Sequence, residues 1–371
     1  MDVSVLIKAV HSDFYAGVPD SNLRALGDYL INVYGTDSRH HIIAANEGNA
    51  AAAAAGYHLA TGKVPVVYMQ NSGEGNVINP LASLLNEEVY AIPCLFIIGW
   101  RGEPGVHDEP QHIYQGRITC RLLEDMGVPY FILSSDTSCD ELNKALSRFK
   151  VLLEKGKSAA ILVRKGALSY EMPLKYQNGN VLKREEVIRH IAAASGSDPV
   201  ISTTGKASRE LYEIREALGQ GHEKDFLTVG SMGHASSIAL GAALFKPQKT
   251  IWCIDGDGAL LMHMGALPVI AHHRPKNLIH IVIHNGAHET VGGQPTAMSG
   301  LDLFKIAKSC GYPYSVCVSE FESLDRELAE AKRRRDLAFL EVKCALGARS
   351  DLGRPADAAV ENKRKFMEFI R

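Results

Sequence analysis

The chain has 371 residues, a length sufficient for two domains. Apolar residues make up 46% of it and charged residues 22%, which excludes a largely disordered chain. The formal net charge of -2 argues against bulk attraction to nucleic acid or to a membrane surface. The seven cysteines contain no CxxC pair, and we see neither a signal-peptide pattern nor an apolar run near the ~20 residues of a membrane span. We therefore expect a cytoplasmic protein with reduced thiols.

Short apolar runs alternate with helical patterns through the first half of the chain, which is typical of parallel α/β structure. Strands are predicted at 41–45, 64–69, 94–98, 130–133 and 159–163. Helices are predicted at 22–34, 47–60 and 139–153, and the second of these is rich in alanine. We assign residues 1–172 to a first domain.

A polar, turn-rich stretch at 173–181 interrupts this pattern and is interpreted as an interdomain linker. The pattern then restarts with a helix at 183–194 and with strands at 199–202, 226–229, 250–254, 278–284 and 339–342. These strands are continuous apolar runs, as expected for parallel strands that are buried on both faces. The sequence therefore predicts an α/β protein of two open parallel-sheet domains, the second at 182–371 with a C-terminal tail.

The clearest signal for chemistry follows the predicted strand at 250–254, where Gly256-Asp257-Gly258 leads into a helix expected to begin near Ala259. Ligands of open α/β sheets bind at the carboxyl ends of strands, and glycines let the backbone approach an anion closely. The start of the helix would offer free N–H groups to that anion. Asp257 would supply a hard oxygen ligand for Mg²⁺. A tight strand-to-helix turn without any ligand is the alternative.

A second oxygen donor, Asn285, directly follows the next predicted strand. Its side-chain carbonyl and the backbone carbonyl of Ala287 would complete a metal site with Asp257. The spacing between Gly258 and Asn285 resembles the motif of thiamine-diphosphate enzymes, in which GDG is followed at a similar distance by asparagine. This resemblance implies a thiamine-diphosphate-binding fold with a pyrimidine domain and a diphosphate domain. It also implies thiamine diphosphate and Mg²⁺ as cofactors.

The resemblance assigns a further role to the loop after the predicted strand at 226–229. The Gly230 carbonyl would accept a hydrogen bond from the aminopyrimidine, and Met232 would bend the cofactor. Taken alone, Met232 is more typical of a residue that fills a gap in a core. The other cofactor contacts that the resemblance implies are Asn71, Thr204, Gly205, Gly256, Gly258, Ala259 and Asn285.

The resemblance also requires a glutamate from the first domain, which contacts N1′ of the aminopyrimidine and promotes deprotonation of the thiazolium. Such a carboxylic acid needs an apolar pocket, where burial raises its pKa. Glu47 fits, because it follows a predicted strand and begins the alanine-rich helix. A glutamate that only stabilises the helix N-terminus is the alternative. In the enzymes that the chain resembles, two subunits share the cofactor, which implies a homodimer or a larger oligomer with active sites at subunit interfaces.

Basic residues concentrate in two turn-rich segments of the sequence. Arg101 and His112 lie in one loop of the first half, and Arg349 and Arg354 lie near the C-terminus. Arginine is well suited to oxyanions, so a chain of net charge -2 with these clusters is predicted to bind a small anionic substrate locally. Salt bridges between these arginines and acidic neighbours such as Asp108 are the alternative.

Longer matches extend the resemblance over nearly the whole chain, to the phosphonopyruvate decarboxylase family. The matching segments are GVPDS at 17–21, HIIAANEGN at 41–49, YMQNSG at 68–73, GWRGEPG at 99–105 and LGRP at 352–355. The implied activity is that of a carboxy-lyase acting on a small 2-oxo acid. It would convert 3-phosphonopyruvate to phosphonoacetaldehyde and CO₂ in phosphonate biosynthesis, on the way to compounds such as 2-aminoethylphosphonate. Sulfopyruvate decarboxylase and a non-catalytic thiamine-diphosphate-binding protein are the alternatives.

Three further residues are candidates for the reaction. Asp20 and Ser21 match the substrate-side loop of the family, which implies positioning or proton transfer by Asp20 and a substrate contact by Ser21. An N-cap for the helix at 22–34 is an equally good interpretation of Asp20. His288 lies three residues after Asn285, in the loop that follows the strand at 278–284. A role in proton transfer or substrate binding and the absence of any such role are equally good interpretations.

Overall fold

A computed structural model describes residues 1–35, 37–298 and 300–371 of the chain. The chain divides into two compact units, the first formed by Met1–Lys175 with Val291–Gln294 and the second by Tyr176–Thr290 with Pro295–Arg371. None of the helices in the described ranges combines the length and the apolar character that a bilayer crossing requires.

The first unit is built on one parallel sheet. Its strands are β1 (Tyr15–Gly17), β2 (His41–Ile43), β3 (Val66–Gln70), β4 (Leu95–Gly99), β5 (Tyr130–Leu133) and β6 (Ala159–Val163). The described strands lie in the order β2-β1-β3-β4-β6-β5, and every neighbouring pair is parallel. The central strands are continuous apolar runs because helices cover both of their faces.

Helices pack on both faces of the first sheet. They are α1 (Val3–Val10), α2 (Arg24–Tyr34), α3 (Glu47–Thr61), α4 (Glu74–Asn79), α5 (Pro110–Asp125) and α6 (Cys139–Leu153), with a 3₁₀ turn at Asn71–Gly73 and a π-helical turn at Pro80–Leu85. On one face, Ala50 and Ala54 of α3 pack against Phe96, since their small side chains allow a close approach. Asn46 caps α3 by accepting a hydrogen bond from the Asn49 N–H, so Glu47 is fixed in its first turn.

The second unit contains a parallel sheet of its own. Its strands are β7 (Val200–Ser202), β8 (Asp225–Leu227), β9 (Ile251–Gly256), β10 (Leu278–His284), β11 (Tyr314–Val318) and β12 (Ala338–Lys343). In the part of the chain that the structure describes, their order is β11-β12-β10-β9-β7-β8. All of these pairs are parallel.

The helices of the second unit again form two cores, one on each face of the sheet. They are α7 (Arg184–Ser195), α8 (Lys206–Ala217), α9 (Ala235–Phe245), α10 (Asp257–Met262), α11 (Ala266–His273), α12 (Leu303–Cys310), α13 (Phe321–Arg334) and α14 (Ala359–Ile370). Ile281 belongs to one core and Val282 to the other, which follows from the alternation of side chains along a strand. A 3₁₀ turn at Glu289–Val291 follows β10.

The predicted fold class, two parallel-sheet α/β domains, is confirmed by these two sheets. Two strands were not predicted. β1 has only three residues, including Ala16 and Gly17, and β11 alternates partly exposed polar and apolar residues. The short β1 did not stand out although it is buried, and β11 lacks the continuous apolar run that marked the other strands. Helix α10 begins at Asp257, earlier than the predicted Ala259, because the strand runs directly into the helix.

The strand order brings the predicted functional residues together at one edge of each sheet. β1, β3 and β4 are neighbours, and the segments that follow them carry Asp20, Asn71 and Arg101. Glu47 follows β2, the neighbour of β1. In the second unit β9 lies between β7 and β10, so the loops after these three strands are adjacent. The carboxyl edge of each sheet is where open α/β proteins bind ligands.

Candidate active site

Glu47 is buried at the carboxyl edge of the first sheet. Its side chain is 4% exposed, and its Oε2 accepts a hydrogen bond of 2.6 Å from Asn76 Nδ2. Burial raises the pKa of Glu47 above its ordinary value, and the Asn76 hydrogen bond offsets this only in part. The arrangement supplies the raised-pKa carboxyl that the sequence predicted at this position.

A glycine allows the backbone to pass directly over this carboxyl group. A Cβ atom placed on Gly73 would lie 2.5 Å from Glu47 Cγ and Oε1, so a larger residue would displace the Glu47 side chain. Gly73 ends the 3₁₀ turn after β3, and Glu74 then begins α4. The sequence NSGEGN therefore holds Glu47 in place through close packing as well as through Asn76.

Glu74 is a second buried carboxyl group in the same segment, and sequence reasoning did not identify it. It is 4% exposed, and its Oε2 accepts a hydrogen bond of 3.1 Å from Gln115 Nε2. Its Oε1 has no hydrogen-bond partner among the described residues. Burial raises the pKa of Glu74 to about 8, against opposing hydrogen bonds from Gln115 and Thr119. At neutral pH this group is therefore largely a neutral acid.

Asn71 braces the ends of two strands. Its Nδ2 donates to the Arg101 carbonyl at 2.8 Å and to Thr119 Oγ1 at 2.9 Å, and its Oδ1 accepts from the Arg101 N–H at 3.1 Å. The amide is therefore engaged within the protein and holds the loop after β4 against the end of β3. Its predicted cofactor contact stays a prediction.

Asp20 is buried beside the end of β4. It is 1% exposed, its Oδ2 accepts the Asn22 N–H at 3.0 Å, and its Oδ1 has no hydrogen-bond partner within the described part of the chain. Burial raises the pKa of Asp20 to about 6, although the Arg101 guanidinium acts in the opposite direction. The alternative role as a helix N-cap is wrong, because α2 begins at Arg24 after Leu23 and has no side-chain cap.

Arg101 joins the predicted substrate residues. Its guanidinium makes a bidentate pair with Asp108, at 2.7 and 2.5 Å, and its NH1 donates to Ser21 Oγ at 2.9 Å. The ion pair offered as an alternative to substrate binding is therefore present. His112 Nδ1 is buried without a hydrogen-bond partner in the described ranges, and burial lowers the pKa of His112 to about 4. Ser21, Asp20 and Arg101 lie together.

Asp257 connects the loops after β9 and β10 in the second unit. Its side chain is 3% exposed, its Oδ1 accepts the Gly258 N–H at 2.7 Å, and its Oδ2 accepts the Gly286 N–H at 2.6 Å. Burial raises the pKa of Asp257, while His284 and these N–H donors act to lower it. The hydrogen bond to Gly286 brings the carboxylate next to Asn285, as the motif predicted.

Asn285 is held at both ends of its side-chain amide. Its Oδ1 accepts the Ala287 N–H at 3.1 Å, and its Nδ2 donates to Glu289 Oε2 at 2.9 Å. Among the described residues, no group of three or more His, Cys, Asp or Glu side chains is arranged to hold a metal ion. The predicted set differs from such a group, because it combines the Asp257 carboxylate with the Asn285 amide oxygen and the Ala287 carbonyl.

His288 packs against the glycine loop. A Cβ atom on Gly258 would lie 3.2 Å from His288 Nδ1, which explains why glycine suits this position in addition to its freedom of backbone approach. His288 is 6% exposed, and its Nε2 has no hydrogen-bond partner in the described part of the structure. Burial lowers the pKa of His288 to about 4, so the ring is neutral near pH 7.

The predicted cofactor loop around Met232 lies against α10. Ser231 and Gly233 both have positive φ angles, 54° and 89°. A Cβ atom on Gly233 would lie 2.6 Å from His263 and 2.8 Å from the Ala259 carbonyl, so the loop and the helix are in close contact. Gly230 and Met232 are both half-buried. The structure thus brings this loop next to the glycine motif.

The loop after β7 forms another part of this edge. Gly205 caps α8 with a φ of 92°, and a Cβ atom on it would lie 3.0 Å from Thr290 Oγ1. Thr204, beside it, is half-buried. Lys206 Nζ lies 3.1 Å from Glu289 Oε1, which places a cation beside Asn285.

The two C-terminal arginines lie in the second unit, whereas the other predicted substrate residues, Ser21, Arg101 and His112, lie in the first. Arg349 pairs with Glu185 at 3.1 Å, with Asp351 at 3.2 Å and with Glu213. The salt-bridge alternative therefore describes Arg349 in this structure. Arg354 is exposed. Their predicted substrate contacts stay predictions.

Comparison with known proteins matches one family model in each half of the chain. A thiamine pyrophosphate enzyme N-terminal TPP binding domain matches residues 3–119, and a thiamine pyrophosphate enzyme C-terminal TPP binding domain matches residues 203–342. Phosphonopyruvate decarboxylase of Streptomyces viridochromogenes is 34% identical over 374 residues, which cover 96% of this chain and 90% of the relative. The enzyme of the same name from Streptomyces hygroscopicus is 34% identical over 95% of this chain and 89% of its own. Sulfopyruvate decarboxylase of Methanosarcina acetivorans is 31% identical over 80% and 79%.

Proposed function

The chain belongs to the phosphonopyruvate decarboxylase family of thiamine pyrophosphate enzymes, and from this premise we propose that it converts 3-phosphonopyruvate to phosphonoacetaldehyde and CO₂. The observation that carries the proposal is the buried Glu47, which has a raised pKa and accepts a hydrogen bond from Asn76. A protein that only binds the cofactor has no need of such a group. The test is CO₂ release from 3-phosphonopyruvate with and without thiamine diphosphate and Mg²⁺, and absence of turnover under all conditions would refute the proposal.

The oxygen donors around Asp257 fit Mg²⁺ and a diphosphate. A carboxylate, an amide oxygen and a backbone carbonyl are hard ligands of the kind that Mg²⁺ binds. Asp257, Asn285 and Ala287 would hold the ion, and the Gly258 and Ala259 backbone at the start of α10 would face the diphosphate. Gly230 and Met232 would contact the remainder of the cofactor. When bound, thiamine diphosphate supplies the electron sink for loss of CO₂.

The residues of the first unit would manage protons and the substrate anion. Glu47 would exchange a proton with the aminopyrimidine, for which a raised carboxyl pKa is suited. Breaking the C1–C2 bond releases CO₂ and leaves C2 to take up one proton. Asp20 is the group that we assign to this step, because its pKa of about 6 leaves part of the population protonated near neutral pH. Arg101 and Ser21 would bind the anionic end of the substrate.

Sulfopyruvate decarboxylation is the second candidate. The relative from Methanosarcina acetivorans supports it at 31% identity, over a smaller share of this chain than the phosphonopyruvate decarboxylases. A sulfonate carries one charge fewer than a fully ionised phosphonate, so the two substrates differ in the cationic charge they require. Parallel kcat/KM measurements with both substrates decide between them. Faster turnover of sulfopyruvate would overturn our first choice.

The assembly is also part of the proposal. Glu47 and Asp257 belong to different units, and we propose a homodimer or larger oligomer in which each site takes these residues from two chains. Glu47→Gln and Asp257→Ala should each be inactive alone. Co-expressed in one cell, they should regain about a quarter of the wild-type activity, because half of the dimers would be mixed and would carry one intact site. No recovery in mixed oligomers that form by mass would contradict sites shared between chains.

A further inference from the structure

Glu289 lies at the centre of a buried charged cluster that the proposed reaction does not use. Its Oε2 accepts hydrogen bonds from Asn285 Nδ2 at 2.9 Å and from Arg184 NH1 at 2.5 Å. Its Oε1 accepts from Lys206 Nζ at 3.1 Å. The carboxylate therefore binds two cations and the side chain of a predicted metal ligand at once.

The contact with Asn285 decides which end of the amide faces the metal position. The oxygen and nitrogen of an amide exchange places when the side chain turns over, and only the oxygen is a metal ligand. In the structure the Nδ2 group points to the Glu289 carboxylate, and Oδ1 accepts the Ala287 N–H. The opposite orientation would place the amide oxygen against a carboxylate, and its NH₂ group against an N–H donor.

We propose that Glu289 is a positioning residue, which fixes the amide of Asn285 so that Oδ1 faces the Mg²⁺ that binds the cofactor diphosphate. The inference rests on the proposed function, because it assumes that Asn285 is a metal ligand. In this inference Glu289 holds the Asn285 amide in one orientation, which neither the GDG motif nor the predicted substrate residues do. Groups that hold metal ligands in place commonly change metal affinity by about 10–100-fold when they are removed.

The surrounding cations explain why a carboxylate is stable at this buried place. Burial acts to raise the pKa of Glu289, but Arg184 and Lys206 hold it below its ordinary value. Arg184 is itself fixed, since Glu210 accepts from its Nε and NH2 at 2.7 Å each. The carboxylate that accepts from Asn285 is therefore anchored from α7 and from α8. Such a rigid support restrains the amide more strongly than a flexible surface side chain would.

The experiment measures the Mg²⁺ dependence of thiamine diphosphate binding to the full-length protein by calorimetry, so it does not depend on turnover. Glu289→Ala should raise the Mg²⁺ concentration for half-saturation by about 10–100-fold. Glu289→Gln should give a smaller increase, because its side-chain oxygen still accepts from Asn285. The matched control is Glu210→Gln, which removes the other carboxylate partner of Arg184 and leaves the Asn285 contact in place.

The melting temperature without metal or cofactor separates positioning from folding. A purely structural role for Glu289 predicts a lower melting temperature with an unchanged Mg²⁺ requirement, and this result would overturn the inference. If Glu289→Ala does not fold, Glu289→Gln is compared with Glu210→Gln by the same criterion. A wild-type protein that binds no thiamine diphosphate with Mg²⁺ would instead refute the proposed function.

Exchange of donor and acceptor provides a second test. Asn285→Asp places a carboxylate against Glu289 and should weaken Mg²⁺-dependent cofactor binding, because neither group can donate. Adding Glu289→Gln to that variant restores a donor and acceptor pair with the roles reversed. The double variant should bind cofactor at lower Mg²⁺ concentration than Asn285→Asp alone. Lack of any recovery in a folded double variant would contradict the positioning role.

Discussion

The carboxyl edges of the two sheets both bury acidic side chains, but they provide them with different surroundings. At the first edge, Glu74 and Asp20 each keep one carboxyl oxygen that has no hydrogen-bond partner among the described residues. At the second edge, Asp257 accepts two backbone N–H groups, and Glu289 pairs with Arg184 and Lys206. The two sheets have similar folds, but the buried carboxyl groups of the second have more hydrogen-bond donors and cations around them than those of the first.

This difference has consequences for the chemistry that each edge can perform. Burial with few donors raises the pKa of Glu74 to about 8 and that of Asp20 to about 6, so these groups can hold a proton near neutral pH. The Arg184 and Lys206 cations lower the pKa of Glu289 even though burial acts to raise it, so this group stays a fixed anion. The first edge is therefore suited to proton transfer, and the second is suited to holding a metal ion and a phosphate group.

The largest expected effect comes from Glu47, to which we assign proton exchange at the first edge. Glu47→Gln should keep the hydrogen bond from Asn76 and should retain thiamine diphosphate binding. It should lower kcat by about 10²–10⁴, since an amide cannot exchange the proton. Decarboxylation assays and calorimetric cofactor binding measure the two effects separately. Glu74→Gln is the matched control, another buried glutamate of the same edge, and it should retain most of the activity. Full activity of Glu47→Gln would remove the distinction that we draw for the first edge.

The next largest effect concerns Asp257 at the second edge. Asp257→Asn should weaken Mg²⁺-dependent cofactor binding by roughly two orders of magnitude, because it removes the only charged oxygen of the predicted metal set. The control is Asp255→Asn, which changes another buried carboxylate two positions earlier, in β9, whose Oδ1 accepts the Gly256 N–H at 2.9 Å. That control should change stability without changing the Mg²⁺ requirement. Equal effects of both substitutions on Mg²⁺ dependence would argue against a specific metal role.

A smaller effect, on KM for the substrate, is expected to distinguish Arg101 of the first unit from Arg349 of the second. Arg101→Met should raise KM for the anionic substrate by about 10–100-fold, in line with loss of a charge-assisted hydrogen bond. Arg349→Met should leave KM near the wild-type value, because three carboxylates, those of Glu185, Asp351 and Glu213, bind its guanidinium, whereas one carboxylate, that of Asp108, pairs with Arg101. Steady-state kinetics of both variants test this difference. A larger KM effect for Arg349 would restore it as a substrate residue.

The smallest effect on activity, and a clear effect on stability, is expected for Glu74. Its pKa is raised from an ordinary 4.5 to about 8 in the folded protein. The folded state therefore binds the proton more tightly, so the contribution of Glu74 to stability is fully present below pH 4.5 and is lost as the pH rises towards 8. Glu74→Gln should remove this dependence and raise the free energy of unfolding at pH 8 by on the order of 4 kcal/mol relative to the wild type. Denaturant unfolding at pH 5 and pH 8 measures it, and an equal difference at both pH values would contradict the assignment.

The sequence predicted site residues correctly placed at strand ends where a short motif directly follows an apolar strand. Gly256-Asp257-Gly258 and Asn285 follow continuous apolar strands, and the structure connects them through the hydrogen bond between Asp257 and Gly286. Glu47 begins an alanine-rich helix after a strand, which alone fits a glutamate that stabilises a helix N-terminus, and the resemblance carried by Gly256-Asp257-Gly258 and Asn285 is what assigned it a catalytic role.

Other site residues depend on contacts between segments that are distant in the sequence. Glu74 is buried through Gln115, 41 positions away, and Glu289 is held by Arg184, 105 positions away. A sequence shows the residue type but not the partner, so it could not decide between the ion pair and the substrate role for Arg101 or Arg349. The available signal for Glu74 was its position directly after the matching segment YMQNSG at 68–73.

The close packing of Gly102 against α5 limits how the segment that carries Arg101 can move. A Cβ atom on Gly102 would overlap the His112 carbonyl, and one on Gly116 would overlap the Gly102 carbonyl. The backbones at Gly102 and Gly116 are in direct contact, with no side chain between them. We therefore expect Arg101 to move together with α5. Residues 104–107, at the tip of this loop, are exposed, and we expect them to be the more mobile part of it. Amide hydrogen exchange in this tip should be fast, while the amides around Gly116 exchange slowly.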